Sequence, residues 1–165
     1  MQILVIDDNA NHQKAAQEQL KEYDVTVVGT YDEAQNLLKC KHAFNVVLAD
    51  LLLPISGQRK GRVNHPVDVE MPIGIFLALL AAKNGASHVA VFTDTNHHNH
   101  PASACFDAFG TPWTPFDSSV NTTSMVVNGA KLVLCNNMEW VDHTSDEPPQ
   151  SIKRWDKLLN FLMHC

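Results

Sequence analysis

"NVVLADLLLP", residues 45–54, puts one carboxylate at the end of an apolar run that a proline then closes. A strand covered on both faces reads as continuous apolar sequence, and a charge inside it is costly unless something pairs with it. At the carboxyl end of such a strand the side chain emerges instead on the rim of the sheet. Open α/β folds place their ligands there. Asp50 is therefore the residue to explain.

Outward from this strand the chain alternates between two periods. "QILVI" (2–6) reads as a buried strand, and "NHQKAAQEQLKEY" after it carries Ala16, Leu20 and Tyr23 on one helical face. "VTVV" (25–28) is a second strand. Thr30 and Glu33 form a capping box that opens a helix with Ala34, Leu37 and Leu38 as its apolar stripe. "PIGIFLALLAAKNG" (72–85) predicts a helix with proline in its first turn and Gly85 as its stop. "HVAVF" (88–92) and "KLVLC" (131–135) are a fourth and a fifth strand. "SIKRWDKLLNFLMHC" reads as a closing helix capped by Ser151, with Ile152, Trp155, Leu159 and Leu162 on one side. Strand and helix alternating in this way imply parallel strands joined by right-handed crossovers. Residues 55–71 and 94–130 break the rhythm and read as insertions at the top or edge of the sheet.

At 165 residues the chain is expected to form one domain, 1–165, large enough to bury a core unaided. Its net charge of −6 gives no basic surface for nucleic acid. No apolar run has the length of a membrane span. "MQILVIDDN" lacks the basic start of a signal peptide. Cys40, Cys105, Cys135 and Cys165 are scattered without a CxxC pair, and read as reduced, partly buried thiols of a cytoplasmic protein.

The first strand ends in Asp7-Asp8, the third in Asp50 and the fourth in Thr93. Parallel strand ends point one way, so these groups converge on one rim. Carboxylates so crowded raise one another's pKa, and a hard divalent cation such as Mg²⁺ relieves the repulsion. Each Asp taken alone reads equally well as the cap of the helix or turn that follows.

"ILVIDDN", "VVLADLLLP" and "VAVFT" resemble, in order and spacing, the receiver domains of two-component response regulators. The resemblance covers the first fifty-odd residues best and residues 72–93 next. It implies a flavodoxin-like, doubly wound sheet of five parallel strands with helices on both faces, here with insertions after strands three and four. It further implies that Asp50 is the phosphoacceptor of a phosphorelay and Thr93 the switch hydroxyl. Asp8 and Asp50 would bind Mg²⁺, with Asp7 in support and the backbone carbonyl of Leu52 completing the protein ligands. The partners implied are a sensor histidine kinase or phosphotransfer protein and a downstream protein. Because the chain ends with its last helix, output is expected through protein–protein binding and not through an attached catalytic or DNA-binding domain.

Three positions depart from the family's pattern. Receivers carry a lysine at the end of the fifth strand, and "NGAKLVLCNN" puts Asn136 there and Asn137 after it. Lys131, at the start of that strand, lies roughly 15 Å from its end if extended. The aromatic switch position falls near Val133, and Asp94 follows Thr93 where a small residue is usual. These departures leave open a pseudo-receiver, an interaction module of this fold that takes no phosphoryl group. A Mg²⁺-dependent phosphohydrolase using Asp50 as nucleophile is a third reading, but Leu52 stands where its general acid would be. The register of the loop after Asp50 is open as well, since either Gly57 in "LPISG" or Gly74 in "MPIG" fits the family's turn. His97, His98 and His100 read as a solvated loop or a transition-metal site, and Trp113 and Phe116 as satellite core or a docking patch.

Overall fold

The computed structural model describes residues 1–54, 69–96, 98–109, 121–136 and 138–164. Strand β1 (Gln2–Ile6) leads into helix α1 (Ala10–Gln19), and β2 (Asp24–Val28) into α2 (Tyr31–Leu38). Then come β3 (Val46–Asp50), two short strands β4 (Leu53–Pro54) and β5 (Glu70–Met71), and helix α3 (Gly74–Lys83). After β6 (His88–Phe92) come a short α4 (Pro101–Ala104), β7 (Asn121–Val127) and β8 (Ala130–Asn136). A second pair of short strands, β9 (Val141–His143) and β10 (Ser151–Lys153), precedes the last helix, α5 (Trp155–His164).

The central sheet has six strands in the order β2-β1-β3-β6-β8-β7, all parallel except β7, which runs antiparallel to β8. Five parallel strands were expected from the sequence. The sixth lies in the segment read as an insertion, and a local signal marks it. Asn128 and Gly129 both adopt positive φ, 50° and 81°, in the two-residue turn between β7 and β8. Asn-Gly is the dipeptide that such hairpin turns favour.

Alternate strand residues feed two cores on opposite sides of the sheet. Leu4, Ile6, Val47 and Ala49 pack with Ala34, Leu38, Leu77 and Ala81 of α2 and α3. Ile3, Val5, Val46 and Leu48 pack with Ala16 of α1 and with Trp155, Leu158, Leu159 and Leu162 of α5. Period-two burial on both faces is why these strands read as unbroken apolar runs.

Several element boundaries differ from the sequence reading. Helix α1 stops at Gln19 with Leu20 as its cap, and Tyr23 is exposed. Helix α3 begins at Gly74, leaving Pro72 outside it, while Gly85 takes φ 101° just past its end. The Thr30 cap of α2 is as read: its Oγ1 accepts from the Glu33 N–H and donates to the Glu33 carboxylate. Ser151 caps no helix; "SIK" is strand β10, and α5 starts at Trp155. Cys135 is buried, but Cys40 and Cys105 are exposed, so only one of the described cysteines fills core.

Of the two glycines, Gly74 is the one described. Leu53 and Pro54 pair with Met71 and Glu70, which brings the start of α3 back to the end of β3. The Gly74 N–H donates to the Leu51 carbonyl at 3.1 Å. A Cβ built on Gly74 would lie 1.8 Å from the backbone oxygen of Asp50, so only glycine fits. Gly57 falls outside the described residues. Gly74→Ala must push α3 off the end of β3, and a loss of about 1–3 kcal/mol in chemical denaturation is expected.

Candidate functional site

The rim is assembled by strand register. Ile6 pairs with Ala49, and Asp50 with Phe92, so Asp7, Asp50 and Thr93 follow one another along neighbouring strand ends. Strand order reverses between β1 and β3, because β2 lies outside β1 while β3 lies on its other side. That crevice is where open α/β sheets bind ligands. Asp7 and Asp8 flank it on one side and Asp50 on the other. One ligand atom from each of these three lies within 4.8 Å of the others.

At the centre of the acids sits a cation that the sequence reading did not assign. Lys153, the last residue of β10, is the only fully buried Lys or Arg among the described residues. Its Nζ is 2.8 Å from Asp7 Oδ2, 2.8 Å from Asp50 Oδ1 and 3.7 Å from Asp94 Oδ1. The rim thus holds a lysine, carried by β10 and not by the end of the fifth parallel strand. Asn136, at the expected position, is buried and donates to the Thr95 carbonyl. Lys131 lies at the far end of β8, opposite His88.

Two further side chains escaped the sequence reading. His12, buried on α1, has Nδ1 3.2 Å from Asp7 Oδ2 and Nε2 3.0 Å from the Ser151 carbonyl. The Ser151 hydroxyl donates to Asp94 Oδ2. Asp94 therefore turns toward β10, Lys153 and His12. The Trp155 indole N–H donates to the His12 carbonyl, which ties the start of α5 to α1.

Each carboxylate titrates according to its neighbours. Burial lifts Asp7, but Lys153 and His12 outweigh it and hold the group below the usual range. Asp94 behaves alike: burial raises it, and Lys153, the Ser151 hydroxyl and His12 bring it below its ordinary value. Asp50 goes the other way. Burial, helped by the charges of Asp7 and Asp94, pushes it up to about 7 against the pull of Lys153. Asp8 is exposed, and partial desolvation and the Asp7 charge raise its pKa. Lys153 loses stability as a cation through burial, yet Asp50, Asp7 and Asp94 more than restore it and raise its pKa.

Three carboxylates thus surround one ammonium, with Asp8 beside them, and the excess negative charge suits a divalent cation. Asp7 is fully buried and both its oxygens are engaged, by Lys153 and His12 on Oδ2 and by the Asn9 N–H on Oδ1. Asp50 Oδ1 holds Lys153 and the Leu51 N–H, 2.7 Å away. Oδ2 of Asp50 and the exposed Asp8 are the oxygens left to face an ion. Leu52, at the same strand end, is buried through its side chain.

Thr93 is fully buried, and its Oγ1 accepts from the Thr95 N–H at 3.1 Å. Val133 is buried in the core, with no aromatic ring at that position. His100 is drawn away from metal duty by capping α4, its Nδ1 accepting from the Ala102 N–H. His97, Trp113, Phe116 and Asn137 lie outside the described residues.

No protein-family model matches the chain, and a search of curated proteins finds no significant relative.

Two outcomes follow from the charge pattern. The Asp50 pKa is about 7 in the fold against 3.8 for the free group. The folded state therefore holds the extra proton between those values, and stability falls as pH rises through that window. Asp50→Asn removes this penalty. Without metal, the variant should be more stable than wild type at pH 8 by on the order of 1 kcal/mol, and the gain should vanish near pH 4. Lys153→Met should cost about 3–5 kcal/mol at pH 8, since it strands buried carboxylates, and less in acid, where they can take up protons. Urea denaturation at the two pH values measures both.

Proposed function

We propose that this chain is a receiver-like signalling domain in which Asp50 accepts a phosphoryl group with Mg²⁺, and that it signals by binding a protein partner. The observation that carries this reading is the Lys153 ammonium, 2.8 Å from both Asp7 and Asp50 at the switch point of the sheet. Receivers pair a lysine with the phosphoryl oxygens, and here one reaches the same carboxylates directly before the last helix. The order of the parallel strands, 2-1-3 and then outward, supports a flavodoxin-like fold. Gly74 packed on Asp50 supports "MPIG" as the family's loop, with about residues 55–71 inserted.

The chemistry asked of the site is small. One oxygen of the Asp50 carboxylate attacks phosphorus in line, and the new O–P bond forms as the bond to the donor's leaving atom breaks. That atom departs with the electron pair and takes up a proton. Lys153 then lies within reach of the phosphoryl oxygens, and electrostatic stabilisation of this kind is the main help such a transfer needs. Mg²⁺ held by Asp8, Asp50 and the Leu52 carbonyl would supply further charge neutralisation. Thr93 is the hydroxyl nearest in the strand register to receive the product. A sensor histidine kinase or phosphotransfer protein is the proposed donor, in the cytoplasm. Among the described residues no helix is long and apolar enough to cross a membrane.

The pseudo-receiver reading draws on the same ion pair. Lys153 already neutralises part of the cluster, and Asp94 stands close enough to repel an acyl phosphate. The phosphohydrolase reading has least support, because the general-acid position is a buried leucine.

Intact-protein mass after exposure to acetyl phosphate and Mg²⁺ separates these readings. A single phosphoryl adduct is expected, abolished by Asp50→Asn and by chelator, and slowed at least tenfold in Lys153→Gln. No adduct in wild type leaves the pseudo-receiver. Asp8→Asn should weaken Mg²⁺ binding several-fold in a titration followed by NMR.

A further inference from the structure

The lysine at the rim is carried by an element outside the central sheet. Strand β10 pairs only with β9, through Ser151↔His143, Ile152↔Asp142 and Lys153↔Val141. Residues 138–153 form this hairpin between the last sheet strand and α5, and the Thr144 N–H closes its tip on the Gln150 carbonyl. Apolar and polar contacts both hold it to the body: Val141 is buried in the core that α1 and α5 share, with Trp140 and Ile152 packed against it. Lys153 meets Asp7, Asp50 and Asp94; the Ser151 hydroxyl meets Asp94, and its carbonyl meets His12. Along α1, the Gln19 side chain donates to the Lys153 carbonyl at 3.2 Å. At the hairpin's foot the Arg154 N–H donates to the Trp140 carbonyl at 2.8 Å. Trp140 in turn walls a cavity of about 430 Å³ with Lys157, Asn160, Phe161 and His164.

We propose that the β9–β10 hairpin is the moving part that reads the charge on Asp50, with Lys153 as its sensor and the Trp140–α5 groove as the surface that changes. The proposal rests on the phosphoacceptor reading for its input. Its mechanical half stands on the geometry alone. Changing the charge or size of the group at position 50 changes what Lys153 is attracted to, and because Lys153 is fully buried at the end of β10, a shift of its ammonium bears on that strand. Ser151, two residues before Lys153 on the same strand, donates to Asp94, so this contact shares in any displacement of β10. Asp7 and Asp50 sit at the ends of strands paired on both flanks, whereas β10 pairs with β9 alone, so the hairpin is the rim element with the fewest backbone ties to the sheet.

Amide hydrogen exchange followed by NMR tests this. The reporters are the β9 and β10 amides and Thr144, with β1 and β3 amides as internal controls. In chelator, Asp50→Asn should change exchange of the hairpin amides at least threefold while the controls stay within the spread of wild type. Acetyl phosphate with Mg²⁺ should change the same amides in wild type and leave Asp50→Asn unaffected, with intact mass reporting the adduct. If Asp50→Asn leaves the hairpin unchanged, the proposal is overturned whatever the donor does. An adduct without a change in hairpin exchange also overturns it and leaves the phosphoacceptor reading intact. If no adduct forms, that reading falls, and the chelator arm alone decides whether the hairpin reads position 50.

Discussion

An ammonium group shut away from water must be held by anions, and most of what is unusual in this protein follows from where Lys153 finds them. Burial of a lone ammonium costs many kcal/mol, and a buried pair with one partner removed is strongly destabilising. Asp7 and Asp50 come from different strands, so the ion pairs fasten β10 across the switch point of the sheet. The cost is met only while the strand ends stay in register. A cluster of this kind does little for net stability compared with apolar packing, but it fixes the relative positions of the elements that meet there.

The same cluster divides labour among chemically identical side chains. Asp7 and Asp94 are drawn toward Lys153 and His12 and kept ionised, while Asp50, pressed by burial, is the one whose charge is least secure. Environment, not residue type, separates a supporting carboxylate from a reactive one. Among the acids paired with Lys153, Asp50 has the least settled charge.

Much of the fold was legible because its strands are buried on both faces and its helices carry clear stripes. The acids were legible for the same reason, since a charge that ends an apolar run announces a rim. Lys153 was not. In "SIKRW" the strand is three residues long, too short for a period of two to stand out, and it abuts a helix whose pattern absorbs it. His12 was hidden within a polar helix, where nothing marks which of many hydrophilic residues turns inward. β7 was overlooked although Asn128-Gly129 marks its turn, because it lies in a stretch otherwise rich in Pro, Asn and Thr. Contacts between residues more than a hundred positions apart leave no local trace.

The short pair β4 and β5 has a consequence for how this chain tolerates change. Pairing of Leu53 and Pro54 with Met71 and Glu70, and the Gly74 contact, fix the two chain ends that meet beside Asp50. Closure entropy grows only with the logarithm of length, about 0.6 kcal/mol for each doubling. The number of residues joining those ends therefore weighs little on the carboxylates. That makes the Pro54–Glu70 junction a port for grafting a foreign peptide or a fluorescent reporter.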